Sequence, residues 1–310
     1  IVCRKDFGRR KLLERRMVMR KKRSRLISIF LTVAMVLSFV PSAGLTAYAE
    51  GETEVSTWEN LRAELKKDGD ISVKLTDDIK VELAKTGAEY VNSAYRADIT
   101  GGNKRLDLNG HTLYVYSGAD VDKGLSENAV IALKGNGSLE VLGGGRIFYD
   151  NRAGKRGGDG AANAIKLSGN SKLTVTNATI ENFYGSAVSM EEGSPQVTLG
   201  AGAYLFSANG YGLRSLYSCT GGSVTLDDGV ELGNKDTSQT RFYVKGLDGS
   251  GNGAMRLANE NTSLTINNAV FNGVVEVAGE NQKTAFRASG NRFIVDGEEQ
   301  TDDSLWCDTK

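Results

Sequence analysis

Two acidic residues, Asp107 and Glu140, each stand between apolar neighbours, in Leu106-Asp107-Leu108 and Leu139-Glu140-Val141. Stacked as neighbouring strands they would lie about 4.8 Å apart, close to the roughly 5 Å between the carboxyl groups of a retaining glycosidase. The same column continues as Thr174, Thr198, Thr225 and Thr265, so the alternative is a solvated face of strand-favouring residues headed by two acids. A second column, Ala132, Lys166, Ser189, Ser215 and Arg256, offers Lys166 and Arg256 as lyase bases, without the acidic calcium-binding trio that would assist them. The one histidine, His111, falls in Asn109-Gly110-His111-Thr112. There it reads as a turn residue, since a general base needs a placed partner. No catalytic residue is assigned from these patterns.

Binding chemistry concentrates near two long polar spacers. The first, Asp150 to Gly160, carries Arg152, Lys155 and Arg156; the second runs from Asn234 to Asn252. Tyr149, Tyr184, Tyr211 and Phe242 lie in or near them and could stack on sugar rings, the alternative being inward packing. Asp248-Gly249-Ser250-Gly251-Asn252-Gly253 matches the first half of a calcium loop, with Asp248, Ser250 and Asn252 as oxygen ligands. Its twelfth position is Asn259 rather than a glutamate, which leaves a glycine-rich turn as the alternative. No cofactor is expected, and calcium is the one ion the pattern would accept.

The elements that must position these residues repeat. Ile131 to Val141 and Ile165 to Val175 both read I-x-L-x-G-N-x-x-L-x-V, 34 residues apart. A unit that recurs at such a period stacks on its own copies to bury its apolar face. The apolar-x-apolar half recurs as Val73/Leu75, Leu106/Leu108, Leu139/Val141, Leu173/Val175, Val197/Leu199, Val224/Leu226, Leu264/Ile266 and Phe293/Val295. Alternation of this kind is strand periodicity. Turn-forming Gly, Asn, Asp and Ser follow nearly every pair. The expected architecture is all-β: a single-stranded right-handed parallel β-helix over residues 71–298, with a short capping helix over 50–70 and a tail over 299–310 that reads as truncated. Ser56-Thr57-Trp58-Glu59 has the form of a capping box, and Trp58, Leu61 and Leu65 follow at helical spacing.

Residues 19–49 read as an export signal: the basic run Met19 to Arg25, an apolar run from Leu26 to Val40, and Ala47-Tyr48-Ala49. Cleavage is expected after Ala49, which leaves no membrane span, and residues 1–18 read as upstream or mis-started sequence. The whole chain balances 38 basic against 38 acidic residues, whereas residues 50–310 hold 26 basic and 36 acidic ones. That negative charge argues against nucleic acid as a partner. With no C-x-x-C or Cys/His cluster, zinc is not indicated. A Cys219–Cys307 disulfide is permitted by export but would need the tail to fold back over about three coils, ~14 Å at strand spacing.

Leu106-Asp107-Leu108-Asn109-Gly110-His111-Thr112-Leu113 resembles the L-D-L-N-G-H-T-L segment of exported bacterial β-helix proteins in the pectin-lyase-like superfamily, and the likeness extends over residues 55 to about 298. The resemblance implies a bacterial secreted or cell-surface setting. That superfamily includes lyases, hydrolases and adhesins, so fold alone does not carry function. Polygalacturonase-like members carry N-T-D, D-D, G-H-G and R-I-K segments. Here Asp227-Asp228 is a bare pair, no G-H-G occurs and Arg146-Ile147-Phe148 lacks the lysine, so those roles do not transfer. The reading is a non-catalytic adhesive or glycan-binding module whose partner is an extracellular glycan or a host or bacterial surface component. The alternative is a polysaccharide lyase or glycoside hydrolase acting on an extracellular glycan.

Overall fold

Each apolar-x-apolar stretch points two side chains one way and the residue between them the other, so it can close a core only by lying beside the same stretch of the next coil. In the computed structural model it does so. The structure describes residues 51–83, 96–117, 129–151, 163–233, 253–277, 292–295 and 298–300, all within a unit spanning Tyr48–Lys310.

The chain visits three sheets in turn and forms a right-handed parallel β-helix. Among the described residues the first sheet has eight strands: Thr53–Val55, Ile71–Leu75, Asn103–Asp107, Ser138–Leu142, Lys172–Val175, Gln196–Leu199, Ser223–Leu226 and Ser263–Ile266. The second begins Ile79–Leu83, Thr112–Ser117, Arg146–Asp150, Thr179–Tyr184 and Tyr204–Asn209, continues through Glu231–Gly233 and Val270–Asn272, and ends with Arg292–Val295 and Glu298–Gln300. The third holds Ala97–Ile99, Ala129–Leu133, Asn163–Gly169, Val188–Gly193, Tyr211–Ser215, Gly253–Leu257 and Val274–Val277. Every pairing is parallel except the last, where Glu298–Gln300 turns back against Arg292–Val295.

The interior is a set of aliphatic columns. Leu139, Leu173, Val197, Val224 and Leu264 are successive strand partners, all 5% exposed or less. Ile79, Leu113, Ile147, Ile180, Leu205, Leu232 and Phe271 do the same in the second sheet. The short corner from the first to the second sheet takes its bend from asparagines in the left-handed region: Asn109 at φ 50°, Asn177 at 47° and Asn268 at 52°.

Two registers differ from the expected pairing. Leu139/Val141 lies beside Lys104/Leu106 rather than Leu106/Leu108, because a lysine occupies the inner position that an aliphatic residue holds elsewhere. Phe293 pairs with Phe271 in the second sheet, so Phe293/Val295 does not continue the first.

The helix, α1 (Trp58–Lys66), covers the open first coil. Trp58, Leu61 and Leu65 are buried against the strands Ile71–Leu75 and Ala97–Ile99. Its N-cap is Thr57, one residue later than the capping-box reading, with the Thr57 hydroxyl accepting from the Asn60 amide at 3.3 Å. Strand Thr53–Val55 precedes the helix and already pairs with Val73–Leu75. Thr57→Ala should lower stability by about 1 kcal/mol, read as a small fall in the denaturation midpoint.

Much of the length variation falls on one corner, although the corner from third to first sheet also ranges from the pair 170–171 to the longer stretch 216–222. The connection from second to third sheet is the single residue Gly210 in one coil, yet residues 84–95, 118–128, 152–162 and 234–252 occupy the same connection in others. Arg152, Lys155, Arg156, Phe242 and the calcium-pattern residues Asp248, Ser250 and Asn252 fall in two of these stretches and lie outside the described residues, as does Cys307.

Candidate functional site

The register separates the Asp107/Glu140 pair. Glu140 is the strand partner of Arg105, and Asp107 sits two residues on, beside Leu142. Glu140 faces the Arg105 guanidinium at 3.7 Å, which also meets Glu52 at 3.5 Å. Asp107 turns into the corner and accepts from the Asn109 amide at 2.8 Å. One carboxylate is ion-paired and the other closes a turn, so they do not flank a common bond. His111 takes its place in the same corner, its Nδ1 3.5 Å from Asp78 and its amide donating to the Leu108 carbonyl at 2.7 Å.

The outer column of the third sheet is more concentrated than the sequence suggested. Lys166 pairs with Ser189, Ser189 with Arg214, and Arg214 with Arg256. Arg214 therefore stands where Ser215 was expected, and Ser215 points inward, fully buried. Between Met190 and Glu192 the strand bulges, since Leu167 and Ser168 face these two residues and skip Glu191. A bulge re-aims a side chain, and here it brings Glu191 out among the cations. Its carboxylate accepts from the Ser189 hydroxyl at 2.5 Å and the Asn163 amide at 3.2 Å. It also lies 3.8 Å from Arg214 and 4.0 Å from Lys166. Burial lowers the Arg214 pKa below the ordinary guanidinium value, with the Arg256 charge acting in the same direction and Glu191 opposing. Arg256 lies over the buried Tyr211 ring, 5.9 Å from its centroid.

Of the aromatic candidates, Tyr149 is fully buried in the core, inward between Val115 and Asn182. Tyr211 is buried under Arg256. Tyr184 is half-buried, its ring edge-on to Phe183 at 4.8 Å, and its backbone is held at both N–H and C=O by the Asn151 side chain.

Tyr217 is exposed at the corner from third to first sheet, and a row of half-exposed rings lies on the second sheet. Lys80, Tyr114, Phe148, Glu181 and Phe206 are strand partners across five coils. Tyr114 stacks on Tyr116 with centroids 5.5 Å apart and meets Phe148 at 5.4 Å. Tyr204 and Phe206 extend the ridge, near parallel at 6.2 Å. Lys80 lies 5.2 Å from the Tyr116 ring and Arg146 lies 4.3 Å from the Phe148 ring, with Arg146 held by Glu181. The Tyr114 and Tyr116 hydroxyls donate to Asp150 and Glu82, each at 2.9 Å, and the bond to Glu82 raises the Tyr116 pKa. Such cross-strand rings stabilise the sheet. They also leave a half-exposed row of apolar carbon bordered by carboxylates and cations. The signal was present in Thr112-Leu113-Tyr114-Val115-Tyr116, where aromatics alternate with aliphatics.

Cys219 is a buried free thiol whose Sγ donates to the Met190 carbonyl at 3.4 Å. Burial raises its pKa, which disfavours the reactive thiolate. Among the described residues no group of three His, Cys, Asp or Glu side chains is placed to hold a metal ion. No helix among them is long and apolar enough to cross a membrane. No family model matches the chain, and neither a curated protein nor a solved structure matches it.

Proposed function

We propose that this chain is a secreted or cell-surface β-helix module of bacterial type, kin to the pectin-lyase-like proteins, that holds an extracellular glycan without cleaving it. The observation that carries the reading is the outward ridge of Tyr116, Tyr114, Phe148, Phe206 and Tyr204. Sugar rings present apolar C–H faces ringed by hydroxyls, so they suit a surface where aromatic carbon and hydrogen-bonding groups alternate. Glu82, Glu181 and Arg146 border the rings and supply those groups. The basic-apolar-small order of residues 19–49 supports export, and the Asn109-Gly110-His111 corner supports the kinship.

The experiment is retention on immobilised plant, mucin and bacterial glycans, with the eluate assayed for new reducing or unsaturated ends. Binding without release is expected. The double variant Tyr114→Ala, Phe148→Ala should weaken retention at least about tenfold, the usual effect of removing well-placed aromatic anchors. Unchanged retention would overturn the ridge as the contact surface.

A second reading is favoured by the third-sheet cluster. Glu191, Ser189, Lys166 and Arg214 put a carboxylate, a hydroxyl and two cations within hydrogen-bonding or ion-pair reach of one another, a grouping suited to proton transfer on an acidic sugar. Release of sugar ends by the native protein but not by Glu191→Gln would establish that reading in place of the first.

A further inference from the structure

At the corner from third to first sheet the chain runs through Gly135-Asn136-Gly137, Gly169-Asn170-Ser171 and Gly193-Ser194-Pro195. The leading glycines have φ of 58°, 71° and 76°. They stack on one another through Asn170 N–H to Gly135 O and Ser194 N–H to Gly169 O, each 2.7 Å. That row carries no side chain. The positions after it line an open groove of about 430 Å³ that crosses four coils, with Asn103 at one end followed by Asn136, Ser138, Asn170, Lys172, Ser194 and Gln196. Ser138, Lys172 and Gln196 are successive strand partners, so the lining repeats at about 4.8 Å.

Asn136, Asn170, Lys172 and Gln196 are exposed. Their side chains make no hydrogen bond or ion pair to the described residues. The corner from first to second sheet differs, since Asn267 and Asn268 there spend their amides on Asp227 and Asp228. An amide offers both donors and an acceptor, and a sugar hydroxyl does the same. An anion would meet amide and hydroxyl oxygens throughout and a cation only at Lys172.

We propose that this groove binds a neutral, hydroxyl-rich glycan lying parallel to the coil axis, with about one sugar residue per coil. The rise of one coil, about 4.8 Å, is close to the advance of one pyranose unit in an extended glycan, so each sugar meets an equivalent set of groups. The site goes beyond the second-sheet ridge and does not depend on it.

The test is nuclear magnetic resonance of the nitrogen-labelled protein, following the side-chain amide signals of Asn136, Asn170 and Gln196. The probes are neutral tetrasaccharides of β-linked glucose, mannose and xylose, with a sulfated tetrasaccharide as the charged control. At least one neutral probe should move these three signals saturably. The double variant Asn136→Ala, Asn170→Ala should abolish the movement of the Gln196 signal while melting as the native protein does, because neither side chain bonds to another described residue. Tyr114→Ala, Phe148→Ala should leave the groove shifts in place, so a failed ridge and a failed groove give different results. Absence of movement with every neutral probe, or movement with the sulfated one alone, overturns the assignment.

Discussion

Gly169→Val should lower stability by more than about 4 kcal/mol, whereas Gly110→Ala should cost about 1–2 kcal/mol. Both glycines have positive φ, 71° and 80°, and a side chain in that region is strained by about 1–2 kcal/mol. At Gly110 nothing lies within 4 Å of an added Cβ, so the strain is the whole effect. At Gly169 the Cβ would lie 2.9 Å from the Gly135 oxygen and 3.0 Å from its Cα and N. These are backbone atoms of the coil above, which cannot swing aside. Relief requires the coils to part, which breaks the Asn170–Gly135 backbone bond and exposes the aliphatic column beneath. Strain, a lost hydrogen bond of about 1 kcal/mol and lost packing together exceed about 4 kcal/mol, in the exceptional range for one substitution. Chemical denaturation decides the matter: a Gly169→Val midpoint close to that of Gly110→Ala would show that the corners can separate freely.

Lys104→Ala should cost about 2–4 kcal/mol, because each backbone carbonyl left unpaired costs about 1–3 kcal/mol. Lys104 is 1% exposed and lies in the interior column between Ile71 and Leu139. Its amine donates to the Lys67 carbonyl at 2.5 Å and to the Gly69 carbonyl, at and just beyond the C-terminal end of α1, where backbone acceptors lack helical partners. A cation also suits that end of a helix. Without it, two carbonyls are left unpaired and the covering helix loses its tie to the second coil. Burial lowers the Lys104 pKa from 10.5 against the pull of Asp70 and Asp68. The unfolded chain therefore holds the proton more tightly, so native stability should rise with pH between the lowered value and 10.5. The neutral amine keeps two N–H donors for its two carbonyls. Lys104→Met should lose this alkaline rise while the native protein shows it. A pH profile shared by both would remove Lys104 as its source.

That residue also explains what the sequence could reveal. The coil was legible because Leu139/Val141, Leu173/Val175 and Val197/Leu199 keep the same two inner positions, and strand alternation is a local property. The second coil was misaligned by two residues because Lys104 breaks the hydrophobic pattern, and its reason for being inside, the carbonyls of α1, is distant in sequence. Glu191 was hidden by a bulge, which no alternation rule predicts. Arg214 was passed over for Ser215 because a buried serine is as compatible with the column as an exposed one. The ridge is not legible from one strand alone, because Tyr114 and Phe148 meet only through the register between coils.

The connections from second to third sheet hold much of the chain's variation in length along one seam, while the strands on either side keep their partners. Selection can therefore lengthen or rewrite those crossings without renegotiating the interior, which makes the seam a place to graft foreign peptide. A scaffold of this kind separates its persistence from its novelty: the stacked strands carry one, and chiefly one border carries the other.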